Sequence, residues 1–275
     1  MFKTYGHSRL KGIPTHLTSS LVGLVILLPV LWIFLSSFKS REELSAYPIH
    51  LLPQHIDLLR YYNMLTYSEV TPTLLRTFLL GITTAAITCI TSAMAGYAFA
   101  RINGIWRRQL FSIVIAMMIV PNIILMIPQF ILYAHYHIVN TYWPWYLAAL
   151  GATNPLYIFM YRQFFLGFPK ELEEAAEIDG ATPAGIFLRI ILPNSRPAIA
   201  TVLIFAFNAV WGDYLMPTMF LNDPSKLMGT WLAGWPSNNP YVLTLAIIYI
   251  LPMVILFSLI QKNIQKGMLF TGLSS

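Results

Sequence analysis

The chain has little with which to face water. Only 10% of its 275 residues are charged, against 57% hydrophobic, whereas soluble domains carry roughly 25% charge. Acid is scarcer than base, with 11 Asp and Glu against 17 Lys and Arg. A single cysteine, Cys89, excludes an intrachain disulfide and leaves the redox compartment open. Inside an apolar run it reads as a small buried residue. No G-x-x-x-x-G-K-[ST] stretch occurs, so the chain has no loop of that kind to cradle ATP. The six histidines show no metal spacing beyond His135-x-His137, a pair that interfacial anchoring explains better than zinc. Nor do paired acids, a histidine cluster or a nucleophile beside a base converge, which argues against a membrane-embedded enzyme.

What is present is long apolar runs. A hydrocarbon slab of about 30 Å needs about 20 residues of helix, and six runs approach that length. The pattern predicts an all-α membrane protein, with a cytoplasmic N-terminal segment at 1–16 and one transmembrane domain at 17–265. The expected spans are 17–38, 75–98, 110–134, 143–165, 198–215 and 242–260. Pro29, Pro121, Pro128, Pro155 and Pro252 fall inside them and predict kinks in a packed bundle. The first run exceeds the apolar core of a signal peptide, which favours an uncleaved first span.

Lys and Arg orient the spans. With the N-terminus inside, 12 of the 17 basic residues lie inside, leaving Lys39, Arg41, Arg60, Arg76 and Lys226 outside. The asymmetry predicts cytoplasmic N- and C-termini. It also accounts for the net charge of +6 without nucleic acid. A secondary transporter would need ionisable groups or repeat halves within the membrane. Asp213 is the one carboxylate within an expected span, and no repeat is evident.

The acids cluster in 166–197, the longest cytoplasmic segment. Glu171, Glu173, Glu174, Glu177 and Asp179 make up 5 of the 11. Pro169 and the first glutamates suit a first helical turn, Gly180 a stop, and Thr182-Pro183 a cap and restart. Ile186, Phe187, Ile190 and Ile191 then form a stripe ending at Pro193. The result is a helix-turn-helix elbow. Its first helix is expected to set Leu172, Ala175 and Ala176 on one side and Glu171, Glu174 and Glu177 on the other. A solvated acidic face on a connecting loop would explain the charges alone.

The whole pattern goes further. Glu174-Ala175-Ala176, three residues, Gly180, nine residues, Ile190, one residue and Leu192-Pro193 resembles the EAA loop of inner-membrane permease subunits in ABC importers. "FLSSFKSREEL", "AGYAFARINGIWRR", "MIVPNIILMIPQFILYAHYHIVNTYW" and "FNAVWGDYLMP" extend the resemblance over nearly the whole chain, to the carbohydrate branch and its maltose-type second permease. The resemblance implies six transmembrane helices, with the EAA loop between the fourth and fifth, in the cytoplasmic membrane of a bacterium or archaeon. It implies a related second permease, two ATPase subunits on the cytoplasmic face, an extracytoplasmic solute-binding protein and a sugar. This chain would bind no cofactor, and ATP and Mg would be used by the partner ATPase. Glu174, Ala175, Ala176, Asp179, Gly180, Ile190, Leu192 and Pro193 are the implied ATPase-coupling residues. A glycerophosphodiester or other non-sugar solute would fit the same scaffold.

Two outer regions complete the candidate sites. Asn208, Trp211, Asp213 and Tyr214 combine a carboxylate with aromatic rings, as a sugar path requires; an interfacial aromatic belt would use the same residues. In the maltose system the sugar site belongs mainly to the partner permease. In the outer loop 226–241, Trp231, Trp235, Ser237, Asn238 and Asn239 are, by resemblance, where a loop enters the binding protein. A belt would explain the tryptophans equally.

Overall fold

The structure is a computed structural model that describes residues 12–236 and 239–270. Residues 1–11 of the expected N-terminal segment, and the candidate contacts Ser237 and Asn238, lie outside the described residues. The described residues form helices and no strand. In chain order these are α1 (Gly12–Ser36), α2 (Arg41–Ser45), α3 (Leu59–Thr66), α4 (Val70–Arg101), α5 (Arg107–Met117), α6 (Asn122–His135), α7 (Trp143–Leu150) and α8 (Pro155–Leu166). There follow α9 (Glu171–Ile178), α10 (Pro183–Ile186), a π-turn (Phe187–Ile191), α11 (Leu192–Asn194), α12 (Arg196–Trp211), α13 (Leu215–Phe220), α14 (Met228–Ala233) and α15 (Tyr241–Phe270).

Among the described residues, three helices are long and apolar enough to cross a membrane, through Thr18–Ser36, Val70–Arg101 and Tyr241–Asn263. The number reaches five if each of two bent pairs is one span: α5 with α6, bent by 100°, and Pro183–Asn194 with α12, bent by 79°. The runs 110–134 and 143–165, each expected as one helix, are therefore broken. Pro121 has no N–H and disfavours helical backbone at the residue before it, so α5 ends at Met117 and α6 restarts at Asn122. The second break holds Ala152 at a φ of 48°. Beyond it, the Asn154 side chain accepts from Leu156 N at 3.1 Å, and Pro155 opens α8.

Two compact units are distinguishable. The first holds the described residues up to Tyr67 together with Trp235–Ile248. Its centre is a buried cation. Lys39, 1% exposed, donates to His50 O at 2.6 Å and sits 4.2 Å from the centroid of the Trp32 ring. Arg60 donates to Lys39 O at 2.6 Å and pairs with Asp57 at 3.5 Å. Hydrogen bonding and the aromatic face offset the cost of burying charge. Ser37 shares a 2.5 Å hydrogen bond with Tyr61, whose hydroxyl burial pushes above its ordinary pKa.

The second unit holds Ser68–Gly234 and the described residues from Tyr249 on. Its core is built on α4, which packs against α7, α8 and α12. Small residues make that possible: Ala85, Cys89 and Ala93 are buried in the core. At Gly96 a Cβ would stand 2.6 Å from Tyr161 Cβ and 3.0 Å from Arg162 N. Close helix approach of this kind is a normal solution in lipid. Thr77, Thr84 and Thr91 of α4 bond back to their own helix, and Thr91 also donates to Ala149 O of α7 at 2.7 Å.

Candidate functional site

The elbow begins where α9 leaves Lys170, whose carbonyl accepts from Glu173 N and Glu174 N at 2.9 Å each. Pro169 precedes the helix, so it is not in the first turn as expected. Glu171, Glu173 and Glu174 do occupy that turn, at the positive end of the helix dipole. Gly180 N donates to Glu177 O at 3.0 Å and Ala181 N to Ala176 O at 2.9 Å. This Schellman pairing needs the left-handed backbone that Gly180 adopts, with φ at 83°. The Thr182 hydroxyl then accepts from Gly185 N at 3.2 Å, and Pro183 opens α10.

The second arm does not stop at Pro193. Proline has no N–H to bond the carbonyl four residues back, and the ladder before it shifts to a π-turn in which Leu192 N reaches Phe187 O. The chain continues as α11 to Asn194 and breaks at Ser195. The expected stripe is carried by that π-turn and the residue before it: Ile186, Phe187 and Ile191 are buried and Ile190 is half-buried.

The faces of α9 differ from expectation in one respect. Ala176 turns inward with Glu173, while Leu172 and Ala175 are exposed alongside Glu171, Glu174 and Glu177. Residues three apart share a helix face, and here that pair meets the core. Glu173 accepts from Arg101 Nε at 2.7 Å and from the Tyr97 hydroxyl at 3.0 Å. Arg101 also donates to Phe168 O at 2.6 Å. The last turn of α4 is thereby fastened to both the start of α9 and the strand of chain leading into it. Glu174, Ala175, Asp179, Gly180 and Pro193 remain exposed, with Ile190 and Leu192 half-buried.

A cleft of about 180 Å³ lies among α4, α7, α8 and α12, lined by Thr84, Thr88, Trp145, Asn154, Tyr157 and Asp213 among others. Asp213 falls beyond the end of α12, so it is not within a helical span as expected. It accepts from Met216 N at 3.1 Å, capping the start of α13, and from Trp145 Nε1 at 3.3 Å. Trp211 does not join it. Its ring is 3% exposed and stacks between Phe207 and Tyr249, and its Nε1 donates to Tyr249 O at 3.1 Å. Gly212 ends the helix between the two, so the indole belongs to the core and the carboxylate to the cleft. Asn208 and Tyr214 are exposed.

In the outer loop, Trp231 lies on α14 and is half-buried. Trp235 is half-buried, edge-on to Tyr67 at 6.2 Å. Asn239 accepts from Tyr241 N at 3.0 Å, at the start of α15. Among the described residues no group of three His, Cys, Asp or Glu could hold a metal. Sequence reasoning missed Tyr97, Arg101, Trp145 and Asn154 as site residues. Arg101 had a local signal, being the cation that closes "AGYAFAR", whereas Trp145 and Asn154 gave none.

The model of the binding-protein-dependent transport system inner membrane component family matches residues 88–270. The chain belongs to that family. It is a non-catalytic membrane permease component of an ABC importer. The arabinooligosaccharides transport system permease protein AraQ of Halalkalibacterium halodurans is 32% identical over 259 residues, covering 91% of this chain and 92% of the relative. The sulfoquinovosyl glycerol transport system permease protein SmoH of Agrobacterium fabrum is 28% identical over 257 residues, covering 90% and 88%. A crystal structure of a bacterial ABC transporter that imports the acidic polysaccharide alginate contains a chain of the same fold, with a TM-score of 0.73, 23% identity, and 95% and 99% of the two chains covered.

Proposed function

We propose that this permease component forms half of the pathway of a carbohydrate importer and is driven through its elbow by a separate ATPase. The carbohydrate reading draws on the relatives' names, which include arabinooligosaccharides and sulfoquinovosyl glycerol. In this reading the six runs cross the membrane within one domain at 17–265, the broken ones as kinked spans, and both termini are cytoplasmic. A related permease completes the path, and ATP and Mg belong to two ATPase subunits. The binding protein meets the loop bearing Trp231, Trp235, Ser237, Asn238 and Asn239.

The carrying observation is the elbow's division of labour. One acid, Glu173, ties α9 to α4, while Glu174, Ala175, Asp179 and Gly180 stay exposed for a partner. An ATPase that grips the exposed face, Pro193 included, would move α4 with it, with Ala176, Ile190 and Leu192 holding the two arms together. Asn208, Asp213 and Tyr214 serve the substrate path, with Trp211 supporting them from the core. The cleft that Asp213 lines has no Lys or Arg among its lining residues, so a neutral sugar is favoured over an acidic one.

Glu174→Lys and Gly180→Pro test the coupling in the assembled transporter. The first reverses the docking charge and the second forbids the left-handed turn. Expected are normal membrane insertion with uptake lost, and ATPase activity either uncoupled from substrate or recovered in lower yield. Wild-type uptake and ATPase recovery in both variants would remove the elbow from coupling.

A further inference from the structure

A second concave surface lies apart from the elbow and the Asp213 cleft. About 500 Å³ in volume, it is lined by Phe99 of α4, Arg107, Arg108, Phe111, Ser112 and Ile115 of α5, and Arg162 of α8. Three arginines converge there. Arg162 lays its guanidinium on the Phe111 ring, 3.9 Å from the centroid, and donates from Nε to Phe99 O at 3.3 Å. The Phe99 and Phe111 rings are 5.5 Å apart. Arg107 donates to Asn103 Oδ1 at 3.3 Å and Ile102 O at 3.4 Å.

Nothing acidic neutralises this group. Among the described residues the ion pairs are Arg60–Asp57 and Arg101–Glu173, so none of the three has a carboxylate partner. Arg107 and Arg108 also stand in the first turn of α5, which carries no acid. Cations are disfavoured at that end of a helix dipole, so the field converging on the cleft calls for an anion. The planar guanidinium fork suits phosphate oxygens.

We infer that this cleft binds the phosphate of an anionic membrane lipid. Beyond the arginines, α5 continues with Leu110, Ile113 and Met117 at 51%, 57% and 48% exposure. A cationic helix start followed by an exposed apolar face matches a headgroup followed by acyl chains. Free phosphate would use the cations and leave that apolar face without a role. Basic pockets between transmembrane helices are suited to anionic headgroups, each nearby arginine contributing about 1 kcal/mol. The inference holds whichever way the chain is oriented, because Arg107 and Arg108 precede the expected span 110–134 and Arg162 lies near the end of the expected span 143–165, at the same membrane face.

Full-length protein, purified and delipidated, is titrated with palmitoyl-oleoyl phosphatidylglycerol or phosphatidylcholine and followed by native mass spectrometry. Arg107→Gln/Arg108→Gln leaves the Arg162 contact with Phe111 in place, and Arg41→Gln/Arg76→Gln removes two exposed arginines elsewhere. Phosphatidylglycerol should bind in preference. The first double variant should weaken it by about 25-fold, at ~1 kcal/mol per arginine, with phosphatidylcholine binding unchanged and the second double variant like wild type. Equal binding of the two lipids, or equal losses in the two double variants, would overturn the inference. Displacement of the lipid by equimolar inorganic phosphate would also overturn it, leaving a free-anion site. Failed transporter assembly with lipid binding intact would assign the arginines to a protein partner instead.

Discussion

Glu173 differs from its acidic neighbours by what it meets across the fold. Its side chain and that of Arg101 are 11% and 9% exposed, so each charge depends on the other. Removing one partner of such a pair strands the other, at a cost of about 3 kcal/mol. Glu173→Gln and Arg101→Gln should each lower the thermal stability of the solubilised protein. The double variant should be less destabilised than the two losses added, by ~1–3 kcal/mol. Full additivity in that cycle would mean that the pair does not act as one unit. Local rules located the acid cluster, the turn at Gly180 and the Thr182 cap, because those depend on neighbours within a few residues. Which glutamate turns inward was not legible, because its partner lies 72 residues away.

At the scale of elements, the breaks shape the cleft. Residues 151–154 separate α7 from α8, and residues 212–214 separate α12 from α13; Asn154 and Asp213 line the cleft from within these interruptions. Non-helical backbone at membrane depth is tolerated where it lines a cavity or lies within protein. The prolines signalled kinks in the sequence, but the 100° bend at Pro121 depends on what the two arms pack against. Grouping Trp211 with Asp213 failed for a related reason. They are two residues apart across a helix end, and the stacking of Phe207, Trp211 and Tyr249 draws the indole inward. Asp213→Asn separates sugar binding from capping, since asparagine caps a helix as well as aspartate does. Losing a charge-assisted hydrogen bond of about 1.5–3 kcal/mol should lower sugar retention in the nucleotide-trapped complex by about 10- to 150-fold. Unchanged retention and uptake would leave Asp213 as a cap alone.

For the whole molecule, the coupling proposal depends on which face of the membrane carries the elbow. Composition and apolar run lengths made a helical membrane protein legible in the sequence alone. Hydropathy sees through a break that still leaves an apolar run, which is why six runs correspond to three uninterrupted spans of sufficient length among the described residues. Orientation rests on the basic residues, 12 of 17 falling on the proposed inner side. Ser195 is 0% exposed and would be a poor reporter of that side, whereas its neighbour Asn194 is exposed at the end of the elbow, as is Ser225, immediately before the proposed outer loop. In a Cys89→Ala background, a membrane-impermeant maleimide applied to intact cells should label Ser225→Cys and leave Asn194→Cys unlabelled until the cells are opened. The buried Cys89 is packed in the core with Ile199 O 3.9 Å from its sulfur, so alanine there keeps a small side chain between α4 and α12. Labelling of Asn194→Cys in intact cells would place the elbow outside, where no ATPase could reach it, and the coupling proposal would fall with the orientation. Labelling of Ser225→Cys alone would leave the exposed face of α9 where a nucleotide-driven partner must be.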